Sequence, residues 1–387
     1  MPASQMSTVT GHYRAARYLK DLLVATSQYA YPTLLKFSKH LALPLSVVVI
    51  VLVIVQRLIV ADAEIDWDEE LYFQIGHFWK YGLVPYRDIF DHKPPMVYLF
   101  YMMTSWGNRL FGVRIAVALM LIASVVFMFK AIQRAGITTR QQSLIMIPAL
   151  LSLMSFGKAS GTNTEMIYAP LIMLSFGLLL DEKLVLSALC AALALAVKYT
   201  IVIDLAGFGI TYCWVATSRT KRIENILRWC ALVLVSSVSI YTIFYIYFHY
   251  RGVDLFEEIV LRNIKHASSS EVSIFDDGRG FNRFALMVIE TTLLVALLLR
   301  FRVENWRLLS AALLWLALAV VQGCITRQYY FHYFIPGFIP LVIVWSSMRF
   351  TTENGVLPKY AKPGIFTAAP APPGELLFAK STGCRAN

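Results

Sequence analysis

Residues 42–60 read ALPLSVVVIVLVIVQRLIV, and this apolar block decides the class of the protein. A helix of about 20 apolar residues is long enough to cross the hydrocarbon core of a bilayer. The block begins too late in the chain for a cleavable signal peptide, and no small-residue cleavage site leads from it into a soluble domain. It therefore predicts a membrane-spanning helix.

The composition of the whole chain agrees with this interpretation. Of its 387 residues, 58% are hydrophobic and 15% are charged, whereas soluble domains have roughly 45–50% apolar and about 25% charged residues. The formal net charge of +11 comes from short basic runs between apolar blocks. That pattern is typical of membrane orientation signals and argues against a nucleic-acid partner. The five cysteines lack metal-ligand spacing and are interpreted as packing residues.

The apolar blocks predict an all-α integral membrane protein with about ten transmembrane helices. These are expected at 42–60, 113–131, 142–157, 165–181, 184–198, 199–217, 229–249, 283–300, 307–325 and 332–349. Residues 94–111 (PPMVYLFYMMTSWGNRLF) are ambiguous, because they could either cross the membrane or lie as an amphipathic helix in its outer interface.

The distribution of basic residues decides between these topologies. If 94–111 does not cross, the short inner loops carry eleven bases and the short outer loops three; if it crosses, the two sets exchange sides. The positive-inside rule favours the interfacial helix, with both termini in the cytoplasm. The inner set is Lys130, Arg134, Arg140, Lys183, Arg219, Lys221, Arg222, Arg228, Arg300, Arg302 and Arg307, and the outer set is Lys158, Lys198 and Arg327.

This topology divides the chain into three parts. Residues 1–41 form a cytoplasmic N-terminal arm, residues 42–349 form the transmembrane domain, and the Ala/Pro/Gly-rich residues 350–387 are expected to be a disordered cytoplasmic tail. Two long outer loops, 61–112 and 251–282, interrupt the transmembrane domain. Loops of this length are usually functional or disordered, and we expect the aromatic-rich first loop to carry ordered juxtamembrane helices.

An acidic cluster opens an apolar-periodic run in the first outer loop, which favours the start of a helix. Asp68, Tyr72, Ile75 and Trp79 follow helical spacing and share one face, and Gly82 ends the helix. A solvated helix cap is the simplest explanation of such a cluster. Unpaired charge beside hydrocarbon is costly, however, so these acids are also candidates for a functional site.

A lysine and two prolines follow in the same loop. Pro94 and Pro95 should hold Lys93 in an extended conformation and start the next helix. Three more outer positions carry charge at the ends of spans: Glu165, Lys198, and the aromatic run around Arg327 and His332. Their simpler explanations are a helix-start acid, a lysine that extends to the interface, and an aromatic belt.

Together these side chains can support group transfer. A carboxylate such as Asp68 or Glu165 can take a proton from a hydroxyl group, and lysines can stabilise a departing phosphate. An ion pathway would instead place charges at mid-membrane depth, whereas nearly all charges here lie at loop level. Asp204 and Glu290 are exceptions inside predicted spans, and each needs a partner there.

The stretch WDEELYFQIGHFWKYGLVPYRDIFDHKPPMVYLFYMM (67–103) resembles the first outer loop of the GT-C superfamily of membrane glycosyltransferases. The likeness is greatest to bacterial relatives of protein O-mannosyltransferases and aminoarabinose transferases. It extends to GTNTEMIYAPLIMLSFGLLL, LALAVKYTIVI and RQYYFHYFIPGFIPLVIV, in the family's order.

The resemblance implies an inverting transferase that moves a sugar from a polyprenyl-phosphate donor to a lipid, cell-envelope glycan or protein acceptor. It implies a bacterial inner membrane location, a site facing the periplasm, and no metal or cofactor. Asp68 matches the family's first-loop acid, Glu165 its second-loop acid, and Lys93 and Lys198 the lysines that contact the lipid phosphate. The supporting candidates for substrate binding are Glu69, Tyr72, His92, Arg327 and His332.

Two other functions stay open at this point. A transporter or lipid-linked-sugar flippase would need inverted repeats or matching broken spans, and neither is convincing in this sequence. A catalytically inactive scaffold that binds prenyl phosphate is the other alternative. Many members of the resembling family are longer than this chain, which leaves the acceptor and the completeness of the chain open.

Overall fold

The computed structural model describes residues 43–44, 46–57, 67–106, 110–155, 161–215, 219–269, 279–299, 305–325 and 330–347. The expected N-terminal arm and C-terminal tail lie outside the described residues, as do parts of both long loops. Within the described ranges the regular structure is helical. The helices are α1 (Ser46–Arg57), α2 (Trp67–Lys80), α3 (Pro95–Thr104), α4 (Leu110–Arg134), α5 (Arg140–Ser155), α6 (Thr164–Leu180), α7 (Leu184–Val197), α8 (Val202–Val215), α9 (Arg219–Tyr250), α10 (Arg262–Ser269), α11 (Arg279–Leu299), α12 (Trp306–Cys324) and α13 (Phe338–Ser346).

Each of the ten expected spans corresponds to one of these helices. By length and composition α4, α12 and most of α9 could each cross a membrane, and α1, α5, α6, α7, α8 and α13 are shorter apolar helices. Short 3-10 segments, Tyr199–Ile201 and Phe331–Gly337, precede α8 and α13. The predicted all-α membrane fold is confirmed.

The ambiguous segment does not cross. Helix α3 has 10 residues, and at 1.5 Å per residue it is about 15 Å long, which is half the thickness of a bilayer core. It packs against α2, and the two juxtamembrane helices lie together at one end of the bundle. The interfacial interpretation of residues 94–111 is therefore the one that the structure supports.

The local signals around these two helices are confirmed. Helix α2 ends at Lys80, and Gly82 then takes a positive φ of +98°, which glycine adopts without strain. Pro94 is extended at ψ 147°, and α3 begins at Pro95. Tyr72 and Ile75 are buried on the inner face of α2, as their spacing predicts.

Helices α4 and α6 both start at the end of the bundle that carries α2 and α3, which we call the α2–α3 end. Near the start of α4, Arg114 pairs with Glu69 of α2, and just before α6 the carbonyl of Thr162 accepts a hydrogen bond from Tyr101 of α3. At the opposite end, Arg134 of α4 pairs with Asp181, which follows α6. The long first loop therefore folds over a single end of the bundle.

Gly76 allows α2 and α3 to approach each other. A Cβ atom at this position would lie 2.8 Å from the backbone nitrogen of Met102 and 2.9 Å from Cβ of Tyr101 and the carbonyl oxygen of Tyr98. Real Cβ atoms do not approach backbone so closely, so any larger residue must push the two helices apart.

We expect Gly76→Ala to destabilise the protein by about 1–3 kcal/mol through overpacking. The measurement is thermal unfolding of the purified protein in detergent. Gly209→Ala is the matched control, because a Cβ atom at that helical glycine would meet only the side chain of Ile226, at 3.5 Å. Equal unfolding temperatures for the two variants would show that the close contact between α2 and α3 is not needed.

Candidate active site

Glu165 and Lys198 form a buried ion pair at the α2–α3 end of the bundle. Glu165 occupies the first turn of α6 with no exposed surface, and Lys198 ends α7 with a side chain that is 16% exposed. Lys198 Nζ donates to one carboxylate oxygen, and the hydroxyl of Thr164 donates to the other at 3.0 Å. Lys198 Nζ also lies 4.2 Å from the centroid of the Tyr333 ring, in a cation–π contact.

Asp91, His92 and Lys93 form a second constellation in the loop before α3. Asp91 accepts hydrogen bonds from the hydroxyl of Tyr98 (2.7 Å) and the backbone N–H of His92 (2.7 Å), and it lies 3.1 Å from His92 Nδ1. His92 Nε2 lies 3.2 Å from Lys93 Nζ. One chain of contacts therefore runs from Tyr98 through Asp91 and His92 to the ammonium group of Lys93.

Asp91 remains ionised in this constellation. Burial raises the pKa of its carboxyl, but the hydrogen bond from His92 and the positive charges of His92 and Lys93 outweigh burial, and the pKa lies below its ordinary value. This carboxylate therefore loses its charge only at a pH below the ordinary aspartate range, and it orients His92 at neutral pH.

A strained tyrosine holds the backbone that presents Lys93. Tyr86 adopts a φ of 71°, which is unusual for a residue other than glycine. Its hydroxyl donates to the carbonyl of Lys93 at 2.6 Å, and its N–H donates to the carbonyl of Ile89 at 2.8 Å. The hydroxyl of Tyr98 accepts the N–H of Lys93 at 3.2 Å. Lys93 is thus fixed from both sides.

Tyr72 lies between the two constellations. Its ring makes edge contacts with Tyr98 and Tyr101 at centroid distances of 6.2 and 5.8 Å. Burial raises the pKa of its phenol well above the ordinary value, and the negative charges of nearby carboxylates add to this shift. These carboxylates are Asp68, Asp91 and Glu165. Charges from three separate stretches of the chain therefore surround one buried ring.

Lys93, Lys198 and Asp68 lie at the same site, near the buried ring of Tyr72. The charge of Lys198 interacts with those of Lys93 and Asp68 as well as with its partner Glu165. His332, on the 3-10 segment before α13, is close enough to act on Glu165. Seven of the sequence candidates thus lie at one end of the bundle: Asp68, Tyr72, His92, Lys93, Glu165, Lys198 and His332. Arg327 lies outside the described residues.

The side chain of Glu69 does not join the charged residues of the site. Its carboxylate makes a bidentate ion pair with Arg114 of α4, with Nε to Oε1 at 2.9 Å and Nη2 to Oε2 at 2.6 Å. Both side chains are buried, at 0% and 1% exposure, and Arg57 of α1 is a third charge beside them. Glu69 therefore attaches α2 to the bundle, while Asp68, its neighbour in the sequence, is half-buried and accessible.

The described part of the second long loop contacts the first. Asn263 of α10 donates to the carbonyl of His92 at 2.7 Å, and Arg87 donates to the carbonyl of Arg251 at 3.2 Å. Trp79 of α2 donates to the hydroxyl of Tyr247 on α9 at 2.8 Å. These contacts restrict the movement of the loop that carries His92.

Sequence reasoning did not identify several residues that shape the site. Arg114 interrupts an apolar span, and a charge at such a position needs a partner, which is the signal that would have found it. Asp91 stands next to two named candidates, but only its contacts show what it holds. For Asp204 the partner is now clear, because the indole N–H of Trp315 donates to its carboxylate. Glu290 lies on the exposed face of α11.

No group of three or more His, Cys, Asp or Glu residues in the described ranges is arranged to hold a metal ion. Lys93 and Lys198 supply ammonium groups at the site, beside the imidazoles of His92 and His332.

The comparisons with known proteins bear on the fold. The chain is similar to the crystal structure of ArnT from Cupriavidus metallidurans bound to undecaprenyl phosphate, with a TM-score of 0.56 and 17% sequence identity. The chain has the GT-C fold. The match with ArnT covers 78% of this chain and 59% of the ArnT chain, so this chain spans less than two thirds of the length of ArnT. No family model matches the sequence, and no curated protein resembles it significantly.

The Glu69–Arg114 pair gives a prediction about stability. We expect Glu69→Gln to destabilise the protein by about 3–5 kcal/mol, because this change leaves the buried guanidinium of Arg114 without its carboxylate partner. Chemical unfolding in detergent measures this loss. Arg134→Gln is the control: it breaks a pair of similar geometry with Asp181, but the arginine is half exposed, so the expected loss is below about 1 kcal/mol. Equal losses at both pairs would contradict the anchoring role of Glu69.

Proposed function

We propose that this protein is an inverting glycosyltransferase. It moves a sugar from a polyprenyl-phosphate donor to a hydroxyl group of a lipid, a cell-envelope glycan or a protein. The observation that carries the proposal is the meeting of Asp68, Lys93, Lys198 and Glu165 at one end of a membrane bundle. The GT-C fold and the undecaprenyl phosphate in the ArnT structure support the choice of donor.

Asp68 is the general base of the proposed reaction. Of the two candidate acids it is the accessible one, whereas Glu165 is fully buried and engaged by Lys198. A fully buried carboxylate that is held by an ammonium group is a weaker base, and it is harder for an acceptor hydroxyl to reach than an accessible one. Glu165 is therefore better suited to position Lys198 than to take a proton.

Lys93 and Lys198 bind the phosphate of the donor. Asp68 takes the proton of the acceptor hydroxyl while the hydroxyl oxygen forms a bond to the anomeric carbon. The bond between that carbon and the phosphate oxygen breaks, and its electron pair leaves with the polyprenyl phosphate. The two ammonium groups stabilise the negative charge that develops on this leaving group. A single displacement of this kind inverts the anomeric configuration.

Supporting roles follow from the contacts. Asp91 and His92 orient Lys93, and Tyr72 separates the two charged constellations. His332 lies close enough to Glu165 for the two side chains to interact electrostatically. Glu69 contributes by fixing the start of α2, next to Asp68. Arg327 stays a candidate for substrate binding on the strength of the sequence.

We also propose that the site faces the periplasm from a bacterial inner membrane. Arg134, Lys183 and Arg307, three of the bases assigned to the inner loops, lie at the end opposite the site, which agrees with the positive-inside rule for this topology. We propose residues 42–349 as the transferase domain, with residues 61–112 as its catalytic loop and 251–282 as the loop that covers it.

The role of Asp68 is tested by Asp68→Asn. We expect transfer of labelled sugar from a polyprenyl-phosphate donor to fall by roughly 100- to 10,000-fold, because the amide cannot accept the proton. The assay uses membranes or proteoliposomes that contain the purified protein. Glu70→Gln is the matched control, since this acid of the same turn bonds to Gln74 and lies outside the site.

Wild-type turnover in Asp68→Asn would remove Asp68 as base. Movement of the lipid-linked sugar across proteoliposomes, without formation of a glycosidic bond, would instead favour the flippase.

The two lysines are tested together. We expect Lys93→Met and Lys198→Met each to lower kcat by roughly 100-fold, because one charge that stabilises the leaving phosphate is lost. Lys80→Met, at the exposed end of α2, should leave turnover unchanged. If either active-site variant raised only KM for the acceptor and left kcat intact, that lysine would bind acceptor rather than the leaving group.

A further inference from the structure

A groove of about 920 Å³ lies between α8 and α9, in the half of the bundle away from the candidate site. This volume is in the upper part of the roughly 300–1000 Å³ range of ligand pockets. Its lining is mostly apolar, and Arg307 is the charged residue in it. None of the residues assigned to sugar transfer contributes to it.

Small residues on α8 make the groove. Ala206, Gly209 and Cys213 follow helical spacing on one face of α8, opposite Ile226 of α9. A Cβ atom at Gly209 would make ordinary van der Waals contact with that isoleucine at 3.5 Å, so the glycine leaves room for a methyl group between the helices. The groove is open to the outside of the bundle, because Trp214 and Ile223 on its walls are 48% and 52% exposed.

Arg307 marks the depth of the groove in the membrane. Helix α12 runs antiparallel to α8, because Thr211 donates to the carbonyl of Ala311 while Asp204, earlier on α8, accepts from Trp315, later on α12. The start of α12 therefore lies beside the C-terminal end of α8, opposite the site. Trp306 and Trp214 are exposed at this level, as tryptophans at a membrane interface commonly are. Arg307 is exposed and makes no ion pair within the described residues.

We propose that this groove binds an anionic glycerophospholipid. An acyl chain lies along the small-residue face of α8 and the apolar side of α9, and the phosphate diester binds the guanidinium of Arg307. Basic pockets between spanning helices are known to accept anionic head groups, and the planar guanidinium matches a phosphate with two parallel hydrogen bonds.

The charge of the groove selects this class of lipid. A phosphate diester with an uncharged head group carries one negative charge, which a single arginine balances. A phosphate monoester, such as that of polyprenyl phosphate, carries about −1.5 to −2 charges and is better matched by two cations. The candidate site supplies two lysines, and the groove supplies one arginine. The groove is therefore distinct in position and in charge from the proposed donor site.

Lipid binding by the delipidated, full-length protein tests this inference. Native mass spectrometry in a neutral detergent would measure the apparent Kd of phosphatidylglycerol and of phosphatidylcholine with the same acyl chains. We expect the wild type to prefer phosphatidylglycerol by about tenfold, and Arg307→Gln to lose that preference with little effect on phosphatidylcholine. Gly209→Leu should weaken both lipids, because its side chain fills the floor of the groove.

Lys183→Gln is the matched control, since this exposed lysine follows Asp181 at the same end of the bundle but does not line the groove. It should bind both lipids as the wild type does. Equal affinity of the wild type for the two lipids, or retained preference in Arg307→Gln, would overturn the proposal. So would polyprenyl phosphate binding more tightly than phosphatidylglycerol in an Arg307-dependent manner. Thermal unfolding verifies each variant, and Gly209→Leu still tests the site if Arg307→Gln does not fold.

Discussion

The buried ion pair between Glu69 and Arg114 is the contact on which the arrangement of the site depends. It connects the first turn of α2, a helix that does not cross the membrane, to the first turns of α4, which does. Once α2 is fixed there, its inner face places Tyr72 between the two charged constellations, and Asp68 is left accessible beside them. The close approach of α2 and α3 at Gly76 then sets where the loop carrying Lys93 can lie.

Several charges at this end of the bundle are compensated by nearby partners. Glu165 neutralises Lys198, Asp91 holds His92 beside Lys93, and Asp88 pairs with Arg87. The low dielectric near the membrane makes such pairing necessary, because an isolated charge there is expensive to bury. The same pairing pre-orients the two lysines, so that an anionic group can be received without a large rearrangement of the protein.

The two ends of the bundle differ in chemistry. The α2–α3 end presents paired acids and lysines under two covering loops, which suits a reaction that must exclude water. The opposite end presents the exposed arginine Arg307, exposed tryptophans and a mostly apolar groove that is open to the outside of the bundle. A protein that handles lipid-linked substrates at one face while it contacts bulk phospholipid at the other would need both.

The sequence by itself determined the membrane class and the positions of the apolar helices, because apolar length is a local property, and the distribution of basic residues along the chain favoured the interfacial helix at 94–111. The sequence also indicated the end of α2 before Gly82 and the start of α3 at Pro95, because glycine and proline act on the local backbone. Only the tertiary structure decided that Glu69 faces Arg114 while Asp68 stays accessible, since adjacent residues on a helix point about 100° apart and the packing partner selects the face. It alone paired Glu165 with Lys198, because these two residues are 33 positions apart and meet only when α6 and α7 pack together.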